Sequence, residues 1–575
     1  MTDQWVLPFK SDCHLYFVHL NVFLGNEKPQ KGIFGCNFNY FMVTEGIPFR
    51  KTGYFTEIIC DYLDEKGFLK PFYNRFPSLG SFKEQLQEKQ ASFPTENRVI
   101  LHNVLETQYK GIQLATKTKK NISFLKDRNT FTVVTGHQLN LFTGPLYFLY
   151  KIISTINLTR ALKKEYPESN FVPIYWMATE DHDFEEINYF NFKGKKLQWG
   201  KAVSGAVGRL STEGLAAVYD MFALELGSGK NAESLKELFK KAYLEHKTLT
   251  EATRFLANEL FGTYGLVIVD GDDVALKQLL IPYAKEDILK NTSFNKVSAT
   301  IAELSGLSSS YNIQVNPREI NYFYLTDSLR ERIIEKEGTY YINNTKRSFS
   351  KEAILKELQA HPERFSPNVI SRPLYQEIVL PNLCYIGGGG ELAYWLELKS
   401  SFEASDVPFP ILLLRNSALV ITEKQQQKLQ KMNLKVEDLF LDQNSFINKK
   451  IREISNIDID FSAQRIHLQN QFKALYELAE ATDKSFLGAV KAQEVKQIKG
   501  LDSLEKRLLK AQKRKLEDHV VRMTEIQNQL FPNQSLQERI LNFSELYLEL
   551  GEDLIPSLVK SLKPLQANFF IVRYS

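Results

Sequence analysis

The chain has 575 residues, 43% hydrophobic and 24% charged, ordinary proportions for two or three globular domains with sizeable cores. Lysine and arginine total 72 against 68 acidic residues, so a net charge of +4 makes no global case for nucleic acid or an anionic membrane as partner. Cys13, Cys36, Cys60 and Cys384 show neither CxxC spacing nor disulfide-framework density, which points to a reducing, cytoplasmic location, and no stretch has the roughly eighteen uninterrupted apolar residues of a membrane span.

Near the start, the apolar run Leu15 to Leu24 is interrupted by His19 and Asn21 and lacks the basic start and cleavage site of a signal peptide. From Thr56 to about Asn121 a mixed-charge pattern broken by Pro71, Pro77 and Pro94 predicts short helices. Phe131 to Lys151, FTVVTGHQLNLFTGPLYFLYK, then reads as strand, turn and helix. Val133 and Val134 favour a buried strand, Gly136 a sharp turn, and Pro145 a first helical position. A loop of this kind leaves backbone donors free to meet an anion or a small substrate. The run Phe171 to Ala178 repeats the design and empties into Glu180, Asp181, His182, Asp183, Glu185 and Glu186. Leu266 to Val269 is a third such strand, ending in Asp270 to Asp273. Polar strand ends in series are expected at the carboxyl edge of an open α/β sheet.

Between these strands, residues 191–260 turn lysine-rich and then helical, with Val203 to Leu210 as a loop or short strand. Residues 296–365 alternate more, as small antiparallel strands do. IGGGGELAYWLELK sets four glycines before an amphipathic helix, and FPILLLRNS supplies an apolar strand ending in Arg415, Asn416 and Ser417. Between Pro410 and Pro532 there is no proline and only Gly488 and Gly500 as glycines, which predicts long helices. Leu501, Leu504, Leu508, Leu516, Val520, Met523 and Leu530 keep near-helical spacing, consistent with a coiled coil, and ANFFIVRY near the end reads as a strand.

The segments TGHQLNLFTGPLYFLYK, WMATEDHDFEEIN, FSPNVISRPLYQEIVLPNLCYIGGGGELAYW, PILLLRNS and LFPNQSLQERI resemble the successive motifs of the bacillithiol biosynthesis cysteine-adding enzyme, or cysteine ligase, family. The resemblance runs from about Met42 to the C-terminus. It implies a Rossmann-like core of the class I nucleotidyltransferase type, with connecting-peptide insertions and a helical coiled-coil domain. It also implies joining of L-cysteine to glucosaminyl malate, the last step of bacillithiol synthesis. ATP as the activating cofactor is expected by analogy with class I enzymes, although neither a GxxxxGK[ST] loop nor a clear lysine loop is present. The expected organisation is an upstream extension over 1–41, a helical segment over 42–130 and a core over 131–420 with insertions near 191–260 and 296–365. A coiled-coil domain follows over 421–545, and 546–575 return to the core.

Candidate residues follow from the strand ends. His137 resembles the signature histidine of class I aminoacyl-tRNA synthetases and is suited to donate to a developing oxyanion, or else is a loop histidine bonded to backbone. Many family members carry Gln there, which donates equally. Gln138 and Thr143 share its loop. Asp181, His182 and Asp183 fit a pocket for a substrate ammonium, a metal site or helix caps; no second His or Cys at helical spacing supports the metal. Gly387, Gly388, Gly389 and Gly390 before Glu391 suit a phosphate or carboxylate, or merely tight packing. Arg372, Gln376 and Arg415, with Asn416 and Ser417, supply groups for the same crevice, the arginines being equally open to structural salt bridges. No Ser/His/Asp or Cys/His spacing argues for a covalent nucleophile. Alternatives are a nucleotide-dependent aminoacyl or nucleotidyl transferase acting on another amine, and a non-catalytic coiled-coil scaffold. The apolar stripe from Leu501 to Leu530 predicts a homodimer through the arm, in competition with an intramolecular hairpin using Ile466, Phe472, Leu475 and Ala479.

Overall fold

Five parallel strands organise the molecule, which a computed structural model describes over residues 41–483 and 485–574. Their order across the sheet is Ile411–Leu414, Asn382–Gly387, Thr130–His137, Asn170–Met177 and Val267–Asp270. Val133, Val134, Val172, Ile174, Val267, Ile268, Leu383 and Ile386 are fully buried, so these strands read as continuous apolar runs because both faces are covered. The chain starts in the middle of the sheet, steps outward twice, then returns to the other side. Its strand order therefore reverses between Thr130–His137 and Asn382–Gly387, the switch point beside which open α/β sheets bind ligands.

The long helix Tyr147–Glu165 makes the first crossover, burying Leu149, Ile152, Ile153 and Ile156. Its start departs from expectation. Gly136 is an ordinary strand residue rather than a turn, and its missing side chain matters because a Cβ would stand 3.3 Å from the Tyr385 hydroxyl and 3.7 Å from Arg372 Nη1. The real reversal comes later, where Phe142, Thr143 and Gly144 all have positive φ. Pro145 precedes the helix and pairs with Asn542.

Residues 203–210 form a loop with a single turn at Val207–Arg209, and the helices Leu215–Leu226, Lys230–Leu244 and Leu249–Phe261 follow. The alternating segment contains the expected antiparallel sheet, ordered Ser348–Ser350, Thr339–Ile342, Leu329–Lys336, Tyr322–Thr326 and Phe365–Pro367. Its opening residues, however, belong to the helix Thr292–Leu307. A third sheet joins Phe41–Pro48, Asn568–Tyr574 and Ser417–Ile421, so the closing apolar run is a strand as read. The strand Ser417–Ile421 was hidden at the head of the helical stretch. The expectation for residues 1–41 concerns positions that, Phe41 apart, lie outside the described residues.

The helical arm is a hairpin of Ser462–Thr482 against Phe486–Lys515, continued by Glu517–Leu530. Phe472, Ala479 and Val490 form its own small core, while Arg465 pairs with Asp502 and Glu505. Ile466 and Leu475, expected to face inward, are 58% and 41% exposed: they lie outside the buried stripe that Phe472 and Ala479, seven residues apart, mark on their helix. Among the described residues no helix is long and apolar enough to cross a membrane.

Candidate active site

A cavity of about 590 Å³ lies over the carboxyl ends of Thr130–His137 and Asn170–Met177, roofed by residues 314–332 and 367–369. It receives His137, Gln138, Asp181, His182, Arg372 and Glu391, six of the residues expected from sequence.

His137 ends its strand with 8% exposure, stacked on Tyr147 at 5.4 Å and edge-on to Phe148 at 5.0 Å. Burial, reinforced by the nearby charge of Lys151, pushes its pKa well below the usual histidine value, so the imidazole is neutral. Its Nε2 is a buried polar atom with no protein partner. Gln138 donates through Nε2 to Asp181 at 2.8 Å and to Glu186 at 2.9 Å. Burial works against the Asp181 carboxylate, but hydrogen bonds from His182 and Gln138 and the charge of Arg330 outweigh it and hold its pKa below the usual range. A persistent carboxylate in a partly enclosed cavity is suited to an ammonium group.

At the switch point, the buried Lys151 donates to the Gly136 carbonyl and to Glu391 Oε1, each at 2.6 Å. Burial lowers its pKa despite the Glu391 partner. The other Glu391 oxygen accepts the Gly388 N–H at 2.6 Å, so the glycine run is closed by the chain's own carboxylate. Arg372 reaches Gln376 at 3.1 Å and bonds Tyr394, and it forms no ion pair with any described residue. Lys151 was not singled out from sequence, because a lysine within a helical pattern carries no mark of burial. Tyr394 and the insertion arginines Arg318, Arg330 and Arg332 were missed likewise; no motif surrounds them.

Several expected residues stand elsewhere. Thr143 is buried in the reversal, whose Phe142 and Gly144 carbonyls accept from Asn542 Nδ2 at 2.7 Å each, and the Phe142 ring packs among Phe190, Phe222, Phe239 and Phe543. The helix start there is sealed too, Leu146 N–H donating to the Leu541 carbonyl at 2.8 Å. Asp183 is exposed before the four-residue helix Phe184–Ile187 and makes no side-chain cap. Gln376 is fully buried between Arg372 and Glu377.

Gly387, Gly388, Gly389 and Gly390 do not line the cavity. At Gly387 a Cβ would stand 2.8 Å from Leu392, a packing requirement, and Gly389 faces Ile59. Arg415 is a buried structural cation, held by Glu538 at 2.8 Å and Ser417 Oγ at 3.0 Å, and Asn416 bonds Ser154 and the Lys563 carbonyl. Only the Nε of Arg415 lacks a partner, and its guanidinium lies 5.1 Å from the Tyr147 ring on which His137 also stacks.

Two family models together cover this architecture: the bacillithiol biosynthesis BshC N-terminal Rossmann-like domain matches residues 42–416, and the BshC C-terminal coiled-coil domain matches 418–574. A Flavobacterium johnsoniae protein named "Putative cysteine ligase BshC" is 60% identical over 531 residues, 92% of this chain and 100% of the relative. Proteins of the same name from Christiangramia forsetii and Cytophaga hutchinsonii are 59% and 36% identical, spanning 93% and 92% of this chain and 99% of each relative. With a Rossmann-like core, a coiled-coil arm and such relatives along its length, this chain belongs to the bacillithiol biosynthesis BshC family.

Proposed function

We propose that the protein is a ligase that joins the carboxyl of L-cysteine to the amine of glucosaminyl malate, completing bacillithiol in the cytoplasm. The observation that carries this reading is the switch-point cavity, with a fixed carboxylate at Asp181 and, at Arg372, a cation with no ion-pair partner among the described residues, in a chain of the cysteine ligase family. Asp181 would hold the cysteine ammonium, with Gln138 and His182 fixing the carboxylate's direction. His137 presents an unpartnered Nε2 to the cavity where the carboxyl would react, and Arg372 adds a permanent positive charge to stabilise the developing oxyanion.

An unactivated carboxylate does not form an amide efficiently in water, so a nucleotide is required in this reading. The unpartnered Nε of Arg415, beside Tyr147 and near Lys151, offers an N–H to a phosphate group, whereas the glycine run fits poorly because Glu391 already takes the Gly388 N–H. Arg415 Nε and Lys151 are the groups that would hold ATP, whose phosphate supplies the leaving group for carboxyl activation. We also propose that Ile466, Leu478 and Leu504, exposed along the arm, pair between two copies in a homodimer.

Incubating the purified protein with cysteine, ATP and glucosaminyl malate, with mass-spectrometric detection, tests the reading. The expected product is the cysteinyl amide. Amide formed only with other amines would favour transfer to a different acceptor, and no turnover alongside active pathway partners would favour a scaffold.

A further inference from the structure

The roof of the cavity is built from arginine. Arg330 and Arg332 stand two apart on the strand Leu329–Lys336 and so share one face of the antiparallel sheet, with Phe323 directly opposite Arg332. Arg318 joins them from the irregular segment before that sheet, and all three line the cavity with Phe323. Arg330 is fixed by stacking 4.0 Å over Phe323 and by donating from Nη1 to His182 Nδ1 at 2.8 Å. Because arginine only donates, His182 Nδ1 accepts in that contact.

Two of the cavity's three acids are already ion-paired, Glu180 with Lys277 and Glu391 with Lys151, and the third, Asp181, accepts hydrogen bonds from Gln138 and the His182 N–H. Arg318 and Arg332, both exposed, form no ion pair with any described residue. One wall of the cavity thus carries more positive charge than the protein neutralises. Guanidinium forks match carboxylates in bidentate geometry, and three of them exceed what a single carboxylate satisfies.

We propose that Arg318, Arg330 and Arg332 form a dicarboxylate subsite that selects the acceptor by its two negative charges. This rests on the ligase reading for the word acceptor. The malyl group of glucosaminyl malate has the required chemistry. A triphosphate is the competing polyanion, but the group that suits it, Arg415 Nε, sits beside Tyr147 rather than on the insertion.

Calorimetric titration of the full-length protein with L-malate alone tests the subsite without turnover. The wild type is expected to bind L-malate, and Arg318→Gln and Arg332→Gln to weaken it at least about tenfold each. Circular dichroism should be unchanged, because both side chains are exposed. Lactate, with one carboxylate, should bind more weakly than malate. In turnover, the double variant should raise KM for glucosaminyl malate at least about tenfold, with KM for cysteine and kcat changed less than about threefold. Glucosamine, which carries no carboxylate, should gain no such penalty.

Equal malate binding by wild type and variants overturns the subsite, as does a wild type that binds no malate. Loss of inorganic tripolyphosphate binding with malate binding intact overturns it in favour of a phosphate site. If malate binding falls as expected while the wild type forms no cysteinyl amide, the subsite stands and the ligase reading fails.

Discussion

The two strand ends at the switch point look alike in sequence and behave oppositely in the fold. After Thr130–His137 the chain sends His137 and Gln138 into the cavity, with an imidazole nitrogen left unpartnered. After Asn382–Gly387 the glycine run, the more ligand-like of the two by composition, is occupied by Glu391 and braced by Lys151. Glycines free the backbone to approach something; they do not say whether that something is a ligand or the protein's own carboxylate. The difference assigns chemistry to the first end and rigidity to the second.

The largest test of that division is Lys151→Met. Removing the lysine leaves Glu391 partly buried beside the Gly388 N–H without its counter-charge, and breaking such a pair costs about 3–5 kcal/mol. Urea denaturation should show this loss, and ligation should fall beyond measurement. A variant of full stability would detach the lysine from the glycine run.

Arg415→Ala is expected to be nearly as damaging, and through stability as well as through the lost Nε donor, because Glu538 is left buried and unpaired. This reverses the simplest expectation from sequence, in which Arg415 is a crevice cation whose loss spares the fold. Charge-neutral Arg415→Met combined with Glu538→Gln should recover part of the stability, measured by the same denaturation. No recovery would mean that the pair is not the source of the loss.

His137 sharpens the other side of the comparison. His137→Ala should reduce ligation more than about tenfold, while His137→Gln keeps a hydrogen-bonding side chain and most of the activity. Equal rates for the two variants would remove the hydrogen bond from the argument.

A smaller effect follows from protonation. The folded protein keeps His137 uncharged, whereas the unfolded chain protonates it near the ordinary value of about 6.5. The unfolded state therefore binds more protons below that pH. Stability contributed above it is lost as pH falls. Between about pH 7 and about pH 5 the melting temperature of His137→Gln should drop less than that of the wild type. Parallel declines would contradict a buried neutral imidazole.

The arm gives the smallest expected change in activity. Val490→Glu should melt the distal hairpin, seen as lost helical circular dichroism, with the core transition retained. Leu504→Gln, at a 52% exposed position, should leave the hairpin intact and weaken pairing between copies, read by light scattering.

What the sequence disclosed follows a physical rule. Continuous apolar runs ending in polar or glycine-rich loops revealed the parallel strands, since burial on both faces forces the apolar run. The cavity residues next to those ends, His137, Gln138, Asp181 and His182, were legible because strand ends locate them. Lys151, Arg318 and Arg332 were not, since their role depends on contacts more than a hundred residues away in the chain. Thr143 was misplaced for the opposite reason: a TGP reversal resembles a ligand loop unless the distant Asn542 that braces it is known.

That brace, with Glu538 four residues before it, carries a consequence for biosynthesis. The loop leading out of the first strand and the buried charge of Arg415 are both completed by residues translated about four hundred and one hundred positions later, respectively. A nascent chain can assemble its central sheet but still lacks Asn542 and Glu538, so catalytic competence should appear only after those residues have left the ribosome. Ribosome-bound intermediates arrested before Glu538 should be silent however well their core has folded.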